Sequence, residues 1–135
     1  MTFMRIGSVA GSLLMAALMS STAAEAQGSG AGMFRMGFTE QGGEALYKNI
    51  CQGCHMPNAQ GAVGAGAYPA LAKDPKLEVA GYPIAVVVNG QKAMPAFGPM
   101  LSDQQVADVI NYVRTHFGNS YKDKVTTADV KTARP

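Results

Sequence analysis

Tryptophan is absent from this chain of 135 residues, and only two cysteines and two histidines occur. Two cysteines cannot build a dense disulfide framework. Charge is also scarce, with charged residues at 15% against 47% apolar, which excludes a charge-rich disordered protein. The 11 basic and 9 acidic residues leave a net charge of +2, too small and too dispersed for a nucleic-acid partner. The length accommodates one domain. Glycine, in contrast, is abundant at 16 residues. A small Gly-rich chain without tryptophan is short of bulk for its core, so something other than side chains is expected to fill part of it.

The first segment reads as an address. Arg5 is followed by an apolar run from Ile6 to Met19, and Ala24-Glu25-Ala26 fits an A-x-A cleavage site. The run falls short of the roughly 20 residues that a membrane-spanning helix needs. Residues 1–26 are therefore expected to be a cleaved signal peptide, leaving no transmembrane anchor and placing the chain in a periplasm. Residues 27–38 read as a flexible leader, 39–118 as the folded domain and 119–135 as a polar surface tail.

Within the domain, Thr39 is a candidate cap for a first helix to about Ile50, with Gly43, Leu46, Tyr47 and Ile50 at helical spacing. Residues 57–81 are broken by Pro57, Gly61, Gly64, Gly66, Pro69, Pro75 and Gly81, which predicts loops. Tyr82–Asn89 contains a Val triplet suited to a strand. Pro83 in a first turn and Gly90 just after favour a short helix, and no second strand pattern is present to pair with it. Ser102 and Gln105 form a capping box for a helix to Phe117, with Val106, Val109, Ile110, Val113 and Phe117 as its apolar stripe and Gly118 as its C-terminal cap.

Cys51-Gln52-Gly53-Cys54-His55 is the central motif. C-x-x-C-H is the pattern of covalent c-type haem attachment. The cysteines stand three positions apart, about one helical turn, so both can add to vinyl groups on one edge of a porphyrin. His55 follows directly and is placed to ligate the iron. A thioredoxin-like C-x-x-C requires an alternating strand and helix context, which is not visible. A zinc site requires four ligands, and His116 is the only other histidine. A plain disulfide in an oxidising compartment stays open. For the second axial ligand, Met94 lies in the Gly/Pro-flanked loop Asn89–Gly98, free to cross the haem face. Met56 adjoins His55, Met100 immediately precedes the capped helix, and His116 is late on that helix; these are weaker candidates.

These motifs resemble those of class I c-type cytochromes over about residues 39–118. The carriers are Cys51–His55, Tyr68-Pro69-Ala70-Leu71, Asn89-Gly90, Ala93-Met94-Pro95-Ala96-Phe97 and Tyr112-Val113. The resemblance implies an all-α fold wrapped around one covalent haem c, with His55 and Met94 as iron ligands. It implies that the first helix crosses the last, with Gly43 and Tyr47 near Tyr112. It further implies that the Pro69 carbonyl orients His55, and that Leu71 and Phe97 line the haem pocket. Tyr68 stands where the family often has glycine, and is a candidate for reaching a haem propionate. The implied role is a one-electron carrier, not an enzyme. The tail Val125–Val130 with Arg134 resembles tails of cytochrome modules serving periplasmic dehydrogenases, implying a dehydrogenase donor and an oxidase or second cytochrome as acceptor. A cytochrome subunit held permanently on a dehydrogenase is the alternative, and a haem enzyme or gas sensor a more distant one.

Overall fold

The computed structural model describes residues 37–64 and 66–135, all of which belong to one unit, Met33–Pro135. The expected signal peptide, and the leader up to residue 36, lie outside the described residues. Among the described residues no helix is long and apolar enough to cross a membrane.

The polypeptide is helical apart from one two-stranded ribbon. A continuous helical run opens with α1 (Gly43–Leu46), passes through a π-helical stretch (Tyr47–Cys51) and ends in α2 (Gln52–His55). It begins after Gly42 and not at Thr39, with no side-chain cap, and it extends past Ile50 to include both cysteines and His55. The predicted loop at 57–81 contains a ribbon, β1 (Ala62–Val63) against β2 (Ala67–Tyr68), antiparallel with Ala62 opposite Tyr68. It also contains a 3₁₀ turn (Pro75–Leu77) opened by Asp74, whose carboxylate accepts the Lys76 N–H at 3.0 Å. Helix α3 (Gly81–Asn89) confirms the helical reading of that segment and ends at Gly90.

Helix α4 (Asp103–Thr115) is the central strut, packing on α1, α3 and α5 (Thr127–Thr132). Its start follows from the capping box, in which the Ser102 hydroxyl accepts the Gln105 N–H and the Gln105 side chain accepts the Ser102 N–H. Val106, Val109, Ile110 and Val113 are buried as expected. The helix stops before Phe117, which takes the left-handed conformation at φ 58°. His116 ends the helix, its ring Nδ1 2.8 Å from the Tyr112 carbonyl and its plane stacked on Tyr112. Helices α1 and α4 pack in close contact because Gly43 has no side chain. A Cβ there would stand 2.2 Å from the Asp108 carbonyl oxygen and 2.4 Å from the Tyr112 Cβ.

Residues 119–135 are not merely a surface tail. Many are exposed, but Asn119, Val125 and Val130 are buried, the last because α5 lays it onto α4. The tail is also tied down by polar groups. The Asn111 amide brackets Val125, donating to its carbonyl at 2.8 Å and accepting its N–H at 2.9 Å. Arg114, fully buried on α4, donates to the carbonyls of Leu77 and Glu78 and to the Asp123 carboxylate. That ion pair holds the Asp123 carboxyl below the usual carboxylate range.

Two substitutions separate these supports. Gly43→Ala should destabilise by about 1–3 kcal/mol through overpacking against rigid backbone. Ser102→Ala should cost about 1 kcal/mol through the lost cap. Denaturant midpoints for the two variants would measure both; a neutral Gly43→Ala would show that α1 and α4 can separate freely.

Candidate functional site

The π-helical stretch delivers the C-x-x-C-H motif. Such stretches occur chiefly at functional sites, and this one changes which way the following residues face relative to α1. Cys51 is its last residue, half-buried; Cys54 is exposed in α2, and the two thiols are not joined. Burial pushes the Cys51 thiol up to about 12, with Cys54 adding to the shift, so it stays a neutral thiol at ordinary pH. His55 closes α2 and is only 8% exposed.

The ring of His55 is held from one side. Its Nδ1 lies 2.9 Å from the Pro69 carbonyl oxygen. A carbonyl only accepts, so this contact is a hydrogen bond when Nδ1 carries the proton. The lone pair then belongs to Nε2, the ligating nitrogen of many metal-bound histidines. Pro69 is thus the residue whose carbonyl faces the His55 ring. Leu71 follows, half-buried, its N–H donating to the Ala59 carbonyl at 2.8 Å together with that of Ala72.

Met94 is half-buried and ends a tight turn in which Gln91 and Met94 exchange backbone hydrogen bonds of 3.0 and 2.9 Å. Phe97, partly buried against the core, then pairs its N–H with the Val87 carbonyl. Tyr82 reaches the same loop through a 3.2 Å hydrogen bond to Gln91. Tyr68 is 40% exposed. His116 is exposed on its stack with Tyr112.

Two glycines, read in the sequence only as a loop breaker and a helix stop within Asn89-Gly90, repeat one device. Gly61 (φ +67) would place a Cβ 2.2 Å from Tyr68 O and 2.7 Å from both Pro69 C and Ala70 N. Gly90 (φ +76) would place one 2.7 Å from Met94 O, 3.0 Å from Pro95 C and 2.8 Å from Ala96 N. Each glycine lets an X-Pro-Ala segment fold flat against it, one bearing the His55 partner, the other bearing Met94. The Gly61 N–H also returns to the His55 carbonyl at 3.0 Å. The repeated Pro-Ala pair after a glycine was the available signal. Tyr47 was named only as a helix contact; its hydroxyl donates to the Met56 carbonyl at 2.8 Å, holding the turn that follows His55.

The donor set suits haem. It offers two unpaired thiols one turn apart, an imidazole with one nitrogen committed and one free, and a thioether on a separate loop. Apolar Ile50, Leu71, Val87 and Phe97 are only partly covered by protein. Among the described residues no group of three or more His, Cys, Asp or Glu side chains converges on a point, so these side chains do not by themselves form a zinc site.

A family model described as cytochrome c oxidase, cbb3-type, subunit III matches residues 39–113. The chain belongs to this cytochrome c family. It is 34% identical over 110 residues to the gluconate 2-dehydrogenase cytochrome c subunit of Pantoea cypripedii, covering 73% of this chain and 25% of that protein. It is 34% identical over 106 residues to the alcohol dehydrogenase (quinone) cytochrome c subunit of Gluconacetobacter polyoxogenes, covering 68% and 22%. Over 93 residues it is 34% identical to the fructose dehydrogenase cytochrome subunit of Gluconobacter japonicus, covering 58% and 19%. The cytochrome therefore spans about a quarter or less of the length of these relatives. Membership implies haem c as its prosthetic group.

Tyr47 gives a pH test of the packing beside the motif. Burial first, then Cys51 and Tyr112, raises its phenol from 10.0 to about 12. The folded state thus holds this proton more tightly than the unfolded chain, so the contribution is complete below pH 10.0 and drains away as pH rises towards about 12. Tyr47→Phe should cost about 1 kcal/mol at neutral pH and should flatten the alkaline loss of stability. Denaturation midpoints measured across that window should converge; parallel curves would refute the assignment.

Proposed function

We propose that this cytochrome carries single electrons between a dehydrogenase and a downstream acceptor, such as a terminal oxidase or another cytochrome, in the periplasm after export by residues 1–26. One observation carries the reading: the Pro69 carbonyl lies 2.9 Å from His55 Nδ1 directly after two unpaired thiols, leaving Nε2 available. Cys51 and Cys54 would tether one haem c through thioether bonds. His55 and Met94 would ligate the iron. Haem c, when bound, supplies the one-electron couple, and a methionine ligand favours its reduced form. Leu71 and Phe97 keep water away, and Tyr68 offers its hydroxyl to a propionate. With His55 and Met94 both committed to the iron, the chain would pass electrons and leave substrate chemistry to its partner. Redox partners of this kind meet through small interfaces.

A second reading has the same chemistry in a different setting: a cytochrome subunit held tightly on a dehydrogenase. The names of the relatives favour it. Co-elution of this chain with a dehydrogenase polypeptide through size exclusion at working salt would select it over a diffusing carrier.

The haem-loaded protein tests the site. Met94→Ala should abolish the ferric sulfur-to-iron absorption band and lower the reduction potential, while the covalent haem remains attached. An unchanged spectrum would remove Met94 from the iron. Tyr68→Phe should shift the potential without altering that band; an unchanged potential would remove the propionate role.

A further inference from the structure

Arg134 lies next to the C-terminus, beyond the matched family region of residues 39–113. It nevertheless reaches back to the loop that carries Met94. Its Nη1 donates to the Gly98 carbonyl at 2.6 Å, its Nη2 to the Leu101 carbonyl at 2.8 Å, and its Nε to the Asp103 carboxylate at 2.5 Å. Gly98 ends the Met94 loop, Leu101 lies between that loop and α4, and Asp103 opens α4.

The N–H groups there are held by backbone carbonyls of α3 and of the stretch itself. Phe97 and Gly98 donate to the Val87 and Val88 carbonyls, while the N–H groups of Met100 and Leu101 both return to the Phe97 carbonyl. The carbonyls of Gly98 and Leu101 receive the guanidinium. Its donors form a rigid planar fork, so binding two carbonyls and a carboxylate at once sets the loop's position as well as its distance. Hydrogen bonds from a charged donor are also stronger than neutral ones. The position of Arg134 is set in turn by α5, through the fully buried Val130.

A methionine held by a loop competes with outside ligands according to how often the loop is in place. We propose that Arg134 is a positioning residue for Met94: through Gly98 and Leu101, the C-terminal tail sets how firmly the thioether is held at the sixth position. This rests on the reading of Met94 as an iron ligand.

The test compares haem-loaded wild type, Arg134→Ala and Asn111→Ala. The last cuts the two bonds to Val125 but leaves the Val130 seat of α5 and the three bonds of Arg134 in place, so it perturbs the domain off the proposed path. Ferric protein is titrated with imidazole while the sulfur-to-iron band is followed, and hydrogen exchange is measured on the peptide containing Phe97–Leu101. Arg134→Ala should bind imidazole about tenfold more tightly or better, with Asn111→Ala within about threefold of wild type. Exchange in that peptide should accelerate in Arg134→Ala alone. Arg134→Gln, which keeps the stem but lacks the charged fork, carries the test if the alanine variant fails to fold. Unchanged affinity on substitution of Arg134, or the same rise in Asn111→Ala, overturns the proposal. A wild-type protein that holds haem but lacks the band overturns the Met94 assignment and this proposal together. A band that is present and indifferent to Arg134 overturns this proposal alone.

Discussion

A proton held on Nδ1 of His55 by the carbonyl of Pro69 decides what the other ring nitrogen can do. The 2.9 Å contact directs the lone pair to Nε2 and fixes the ring plane. Much of the surrounding chain maintains that contact. Tyr47 anchors the turn after His55, the Gly61 N–H returns to the His55 carbonyl, and the ribbon β1–β2 leads directly into Pro69 at the ring. Because imidazole and carbonyl come from segments 14 residues apart, the hydrogen bond requires the intervening loop to fold back tightly.

Absent side chains make that tight folding possible. Gly43 lets α1 lie against α4, Gly61 lets the Pro69 segment pass, and Gly90 does the same for the Met94 segment. The abundance of glycine therefore matches a chain that must bring backbones close together around a bulky prosthetic group. The apolar surface of that group would complete a core for which the side chains alone are small.

The polar core is concentrated on the other flank. Buried Arg114 and the Asn111 and Asn119 amides bind backbone carbonyls, and so tie residues 71–78 and 119–125 to α4. Satisfying such groups matters more than the charge itself, since an unpaired buried carbonyl is costly. This arrangement makes the C-terminal tail part of the domain, although the family match stops at residue 113.

The sequence by itself determined the chemistry. C-x-x-C-H is a contiguous motif whose spacing is local, the Ser102–Gln105 box acts over one turn, and the stripe on α4 follows the helical period; local rules decide all three. Met94 was read from its Gly/Pro-flanked loop, whereas the role of Pro69 came from resemblance. Tertiary structure alone decided the rest. Thr39 yielded the helix start to Gly42, because the chain needs its entry near Gln105, whose amide binds the Phe38 and Glu40 carbonyls. The first helix ran on through a π-helical stretch to His55, and Phe117 took a left-handed conformation between its helix and Gly118. The tail looked polar because its two buried valines are isolated in sequence. They become a core face only once α5 lies on α4, and Arg134 meets Gly98 and Leu101 only across that same packing. Such contacts join residues more than thirty positions apart, and no local pattern encodes them.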